Sequence, residues 1–274
     1  MTRLVTAELL MMRKRASTWI LLGIWTALAL TFAYVVPYIQ YTNDPARGLA
    51  DLLPENLVGT LLAGFPFFGG VLALMLGVLT VGSEYGWGTL KTLFTQGPGR
   101  LRVFGAKLIA VAAVLLVFVF VAFLLGAVAS WAIAANEGAE VAWPSASLLI
   151  RGIAGGWLVF AVWAALGIFL AVVTRGTALA TGIGILYAFV VEGLLSALAR
   201  EVSVLDGLVE FFVRANGYSL VAGLGVSAED VSDSGPGSFS GPFVAGGQAL
   251  LVLAVYLAAF ALAAGWLLRR RDVV

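Results

Sequence analysis

Six stretches of this 274-residue chain, at about 18 to 38, 57 to 82, 104 to 134, 149 to 173, 178 to 199 and 244 to 268, are apolar over the length needed to cross roughly 30 Å of hydrocarbon. Nothing else in the sequence constrains the fold as much. In lipid every backbone polar group must be satisfied internally, and runs without period-2 alternation do this as helices rather than as barrel strands. With 61% hydrophobic and 11% charged residues and a mean hydropathy of +1.03, residues 1–274 read as a single all-α integral membrane domain with six transmembrane helices. Residues 1–17 are expected to form an N-terminal cytoplasmic segment and 200–243 a long outer loop. Arg13, Lys14 and Arg15 precede a full-length apolar run with no small-residue cleavage site behind it, so that run is expected to anchor the chain rather than to be a cleaved signal.

The charges orient the bundle. With the N-terminus inside, the cytoplasmic segments hold Arg3, Arg13, Lys14, Arg15, Lys91, Arg100, Arg102, Lys107, Arg175, Arg269, Arg270 and Arg271, and the outer ones only Arg47, Arg151, Arg200 and Arg214. Acidic residues run the other way: Glu8, Glu84 and Asp272 lie inside, Glu192 within a span, and the rest in the outer loops. The positive-inside rule then sets both termini in the cytoplasm. Cysteine and histidine are absent. That removes disulfides, thiolate chemistry, the usual soft-metal ligands and the commonest general base, so no metal site is expected.

Small residues recur at helix-packing spacing in Gly152/Gly156, in Ala261/Gly265 and around Pro66 in "GFPFFGG", where backbones can approach closely and a kink is expected. In the long outer loop, Leu205, Leu208, Val209, Phe212 and Val213 repeat with helical period, while Asp206, Glu210 and Arg214 line another face. That pattern predicts a short amphipathic helix on or dipping into the outer surface. The acidic, Ser/Gly-rich run that follows reads as a connector.

The segment "GSEYGWGTLKTLFTQGPGR", Gly82 to Arg100, is polar and punctuated between two apolar runs. Trp87, Leu90, Leu93 and Phe94 share one side of a short helix that Gly97-Pro98-Gly99 ends. Such a helix can lie at the membrane interface, held by Tyr85 and Trp87 in the aromatic belt, or can supply anchors for a groove in a partner.

The order Glu84, Gly88-Thr89-Leu90, Leu93, Pro98, Arg100 and Lys107 resembles the loop between spans 2 and 3 of ABC-2 type transporter permeases, which forms the coupling helix that docks on the ATPase subunit. The closing "LLRRRDVV", with Arg270, Arg271 and Asp272, resembles that family's C-terminal pattern, and the basic segment carrying Glu8 resembles its N-terminal connecting helix. The resemblance covers essentially the whole chain. It implies that Glu84, Tyr85, Trp87, Gly88, Thr89, Leu90, Leu93, Phe94, Pro98 and Arg100 form the ATPase-coupling contact, with the turn Thr174–Thr177 as a smaller second one. It also implies a dimer of permeases, identical or different, over two ATPase subunits, and export across the plasma membrane. No G-x-x-x-x-G-K-[ST] phosphate loop occurs in the chain, so ATP and its magnesium are expected on the partner, with no cofactor and no catalysis on this chain. The partners expected are those subunits and the lipid, not nucleic acid, and the cargo class is an amphipathic or hydrophobic drug, peptide or lipid.

Glu192 is the acidic residue well inside a span and a functional candidate by default. It can be a substrate or proton site, a dimer-interface hydrogen bond, a neutral acid bonding a neighbouring helix, or a side chain reaching outward. A structural or gating role is favoured, because one carboxyl with no histidine, lysine or second acid nearby is a poor relay. The rival class is a proton- or ion-driven secondary transporter built on Glu192. It leaves the Gly82–Arg100 loop unexplained, and no internal repeat pairs the two halves. An intramembrane hydrolase would need a nucleophile with a base, and Ser130 and Ser196 have none visible in sequence.

Overall fold

The computed structural model describes residues 1–88, 99–199, 206–224 and 243–270. Among these residues the secondary structure is helical, without strands, and six helices are long and apolar enough to cross a membrane: Ala16–Asn43, Phe65–Gly86, Arg100–Glu137, Ala146–Thr174, Ala178–Ser196 and Gly246–Arg270, spans 1 to 6. An N-terminal helix, Thr2–Lys14, precedes span 1 and is separated from it by extended backbone at Arg15 (φ −77°, ψ 123°). A separate helix, Leu57–Leu62, leads into span 2.

Spans 2 and 4 form the interior and spans 1, 5 and 6 present most of their surface outward, where lipid rather than water would cover it. The inner pair touches backbone to backbone. A Cβ on Gly77 would meet the Ala164 carbonyl oxygen, and one on Gly167 the Leu74 carbonyl oxygen, both well under 3.0 Å. Each glycine is thus the space that admits the other helix, the device by which membrane helices gain dispersion contact without a hydrophobic drive between them. The spaced pairs read from sequence serve side chains instead. Gly152 accommodates Val58 and Phe123, Gly156 faces Phe65, and Gly265 faces Phe104.

Instead of a kink inside one run from 57 to 82, the run divides into the helix Leu57–Leu62 and span 2, and Pro66 stands in the π-turn, Phe65–Gly69, that opens span 2, where a missing N–H costs little. Phe65 of this turn is buried, and its ring packs against Trp25 of span 1 and Phe160 of span 4 at centroid distances of 4.8 and 4.6 Å. Span 3 is tied to span 1 at its far end, where Tyr38 Oη donates to Glu137 at 2.7 Å and Asn136 Nδ2 donates to Tyr38 at 2.8 Å.

The loop between spans 5 and 6 holds the largest departure from sequence expectation. The amphipathic helix read over Leu205 to Arg214 is broken: Asp206–Val209 is one helical turn, Phe212 is extended (φ −70°, ψ 146°), and a new helix runs from Val213 to Ala222. This inserted helix is buried from Val213 to Val221, Arg214 included, and packs on spans 4 and 6 and on the π-turn of span 2. Two glycines let it in. A Cβ on Gly217 would press on Pro66, and Gly223 lies against Gly246 at the start of span 6. The helix is buried all round with Arg214, Asn216 and Ser219 included, so its sequence sets no apolar stripe against a polar face and amphipathic periodicity could not find it.

Candidate functional site

The roots of the Gly82–Arg100 loop are described on both sides, and Thr89, Leu90, Leu93, Phe94 and Pro98 lie outside the described residues. Span 2 ends at Gly86 with Glu84 buried and Tyr85 half-buried, and the chain then emerges: Trp87 is 69% exposed, and Gly88 takes a left-handed φ of +66°. That conformation costs glycine nothing and so marks the point where the helix stops. On the other side Gly99 precedes the first turn of span 3, which Arg100 opens.

What anchors this root is a set of charges the loop motif only half contained. Lys107, two turns into span 3, is buried and donates to both carboxylate oxygens of Glu8 at 2.8 and 2.9 Å and to Glu84. Arg15, at the corner between the N-terminal helix and span 1, donates to the Leu79 carbonyl at 3.1 Å and holds its guanidinium 5.5 Å from the Trp87 ring centre. Trp19 fixes the same corner by donating to the Arg13 carbonyl at 2.7 Å. Of the expected contact residues the structure therefore brings Glu84 and Trp87 against the N-terminal segment. Sequence reading missed that Glu8, Arg15 and Lys107 complete the group. The available signal was that Glu8 and Glu84 are two of the three acids, with Asp272, among the basic inner segments, and each needs a cation once buried.

The turn expected as a second contact adjoins this root. A Cβ on Gly82 would lie 2.9 Å from Thr177 and 3.0 Å from the Gly176 carbonyl oxygen, and Arg175 adopts φ 56° in the tight reversal between spans 4 and 5. Span 6 finishes on the same kind of chemistry, with Arg270 over the Trp266 ring at 4.6 Å; Arg271 and Asp272 lie outside the described residues.

Glu192 is fully buried and far from this group in role. Its Oε1 accepts the Val213 N–H at 2.9 Å and its Oε2 the Arg214 N–H at 3.0 Å, and the Tyr187 hydroxyl also bonds to it. Tyr187 lies one π-turn before Glu192, in Tyr187–Val191, which sets both side chains toward the inserted helix. The first N–H groups of a helix lack intrahelical partners and carry partial positive charge, so a carboxylate there is a cap. Arg214 adds a full positive charge nearby, a partner that sequence separation concealed.

Six apolar spans, with a buried ionic group at the root of the loop 89–98, are the architecture of a multi-pass membrane protein. The family model for ABC-2 family transporter proteins matches residues 4–191, spanning the N-terminal helix through most of span 5. The chain belongs to that family and is the membrane-embedded, transporting component of such a system. Among curated proteins nothing matches it.

Proposed function

We propose that this chain is the permease subunit of an ATP-driven exporter in the plasma membrane. It pairs with a second permease, identical or different, and takes its energy from two separate ATPase subunits that bind the ATP and magnesium. The observation that carries the reading is the root of the loop at 89–98. Charged residues are buried there at the cost of desolvation, in a family whose members work with ABC ATPases, while Trp87 stands clear of the bundle beside them. A loop clamped at its base and polar beyond it is suited to receive a push. On this reading Glu84 to Gln96 carries force, and closing the ATPase dimer around ATP displaces it. Gly82, seated against Thr177 and Gly176, passes part of that displacement to the turn joining spans 4 and 5.

Orientation follows from charge. Six crossings return the chain to the side it left, and twelve of the sixteen basic residues then belong to one side, the cytoplasm. The cargo is an amphipathic or hydrophobic compound. An apolar groove of about 570 Å³ between spans 3 and 4, lined by Leu116, Phe120, Ile153 and Trp157 among others, opens on the surface of the bundle, where lipid would cover it.

The test is a pull-down of the tagged permease from its native membrane in mild detergent, with mass spectrometry and an ATPase assay. A co-purifying ABC-type ATPase whose hydrolysis depends on the complex is expected. A permease that repeatedly emerges alone and folded would overturn the reading and return Glu192 to the centre as the site of an ion-driven transporter.

A further inference from the structure

Glu8, Glu84 and Lys107 are 6%, 3% and 2% exposed, and they come from three separate elements: the N-terminal helix, the last turns of span 2 and the beginning of span 3. An ammonium has three donor hydrogens. Lys107 directs its hydrogen bonds at Glu8 Oε1, Glu8 Oε2 and Glu84 Oε1, so its capacity is used in full on the two acids. Arg15 contributes a second positive charge acting on Glu84, so two acids face two bases. Met12, one turn after Glu8, and Val103, one turn before Lys107, are buried apolar side chains on the same helices.

Stability does not account for this arrangement. A well-packed apolar trio would hold three helices together at least as firmly, without taking charges out of water. A shared ammonium supplies geometry instead, because neither carboxylate can leave without stranding a charge in an apolar surround. The covalent connections are no substitute, since the chain bends at Arg15 between Glu8 and span 1, and the loop after Gly86 separates Glu84 from Lys107.

We infer that Lys107 is a positioning residue that locks the N-terminal helix, the end of span 2 and the start of span 3 into one rigid body. A displacement of the loop 89–98 is thereby delivered to the N-terminal helix and span 3 as well as to span 2. The inference rests on reading that loop as the ATPase contact, but the lock itself can be measured with or without the ATPase. The absence of native cysteine makes this direct. Ala7 and Gly86, both exposed, are replaced by cysteine as a pair on either side of the lock, spin-labelled, and their separation is read by pulsed electron resonance.

With Lys107 intact one narrow distance is expected, the same in the permease alone, in the complex and in the complex trapped with ATP and vanadate. In Lys107→Met the distribution should broaden and shift by roughly 2 Å or more, the scale of helix displacements in switching proteins. The double change Glu84→Lys with Lys107→Glu keeps two acids around one lysine and should restore the narrow distance, which a general loss of packing would not do. If Lys107→Met does not fold, Glu8→Gln frees the N-terminal helix alone and is read with the same labels. An unchanged narrow distance in the folded variant, in every state, overturns the lock. Failure of the unaltered permease to retain any ATPase would overturn the coupling reading instead, and the distances in the permease alone would still decide the lock.

Discussion

Glu192 of span 5 and Arg214 of the inserted helix are joined through the backbone: the Arg214 N–H donates to Glu192 Oε2 at 3.0 Å while the neighbouring Val213 N–H donates to Oε1 at 2.9 Å. A carboxylate with both oxygens committed in this way holds a helix end in place. Glu192→Ala would leave two buried N–H groups without an acceptor and should cost about 2–4 kcal/mol of stability, with Glu192→Gln, which keeps one acceptor, costing about half as much. Thermal unfolding of the purified variants checks the ordering. If Glu192→Gln instead left stability untouched and abolished a transport activity that depends on a proton gradient, the residue would be a proton carrier and not a cap.

The contact between spans 2 and 4 makes a sharper stability prediction. Gly77→Ala or Gly167→Ala places a methyl against a backbone carbonyl, which has no rotamer by which to yield, so the inner helix pair must separate. Overpacking of this kind costs about 1–3 kcal/mol. Gly182→Ala in span 5 is the control: its added methyl has nothing within 4 Å, and it should unfold at the parent temperature or slightly above. Equal behaviour of the three variants would mean that spans 2 and 4 do not touch in this way.

The six spans were legible because length and apolarity decide them, whereas Pro66, expected to kink a run from 57 to 82, stands at the start of span 2, because the apolar run alone does not show where the short helix Leu57–Leu62 ends. Gly77 and Gly167 were not legible as a pair, since ninety residues separate them and glycine is common in every span. The helix Val213–Ala222 was missed for a related reason. Its pattern is uniform burial, and the visible amphipathic period upstream crossed the break at Phe212. At the candidate site the loop residues Glu84 and Trp87 stood out by chemistry. Glu8 and Lys107 stood in separate stretches of the family resemblance and Arg15 only among the inner charges, and nothing but tertiary contact groups them with Glu84.

Trp87 separates packing from docking. Its ring lies under the Arg15 guanidinium, but most of its surface is free. Trp87→Ala should therefore change permease stability by less than about 1 kcal/mol, the value of an exposed cation–π pair. If Trp87 is an anchor for the ATPase, the same change should weaken the complex by about 2 kcal/mol, as loss of an interfacial tryptophan does. Unfolding of the permease and titration with labelled ATPase measure the two effects. A large loss of stability with unaltered binding would make Trp87 a purely internal contact.

Leu90 and Phe94 carry the remaining part of the docking reading. Both replaced by aspartate should strip the ATPase from a permease that still unfolds at its normal temperature, because two buried unpaired charges at an interface cost on the order of several kcal/mol. Co-purification at the wild-type ratio would sink the assignment of that stretch as the contact.

Sidedness can be settled on whole cells, because a chain without cysteine reports only the cysteine that is put in. Gly88 and Glu140 are both exposed and lie on the loops at opposite ends of span 3. With the basic residues on the cytoplasmic side, a membrane-impermeant maleimide should label Glu140→Cys in intact cells, and Gly88→Cys only after the membrane is opened. The two sites differ by an odd number of crossings, so they must give opposite results if span 3 traverses the bilayer. Labelling of Gly88→Cys from outside would invert the bundle and place the loop at 89–98 where no ATPase could reach it.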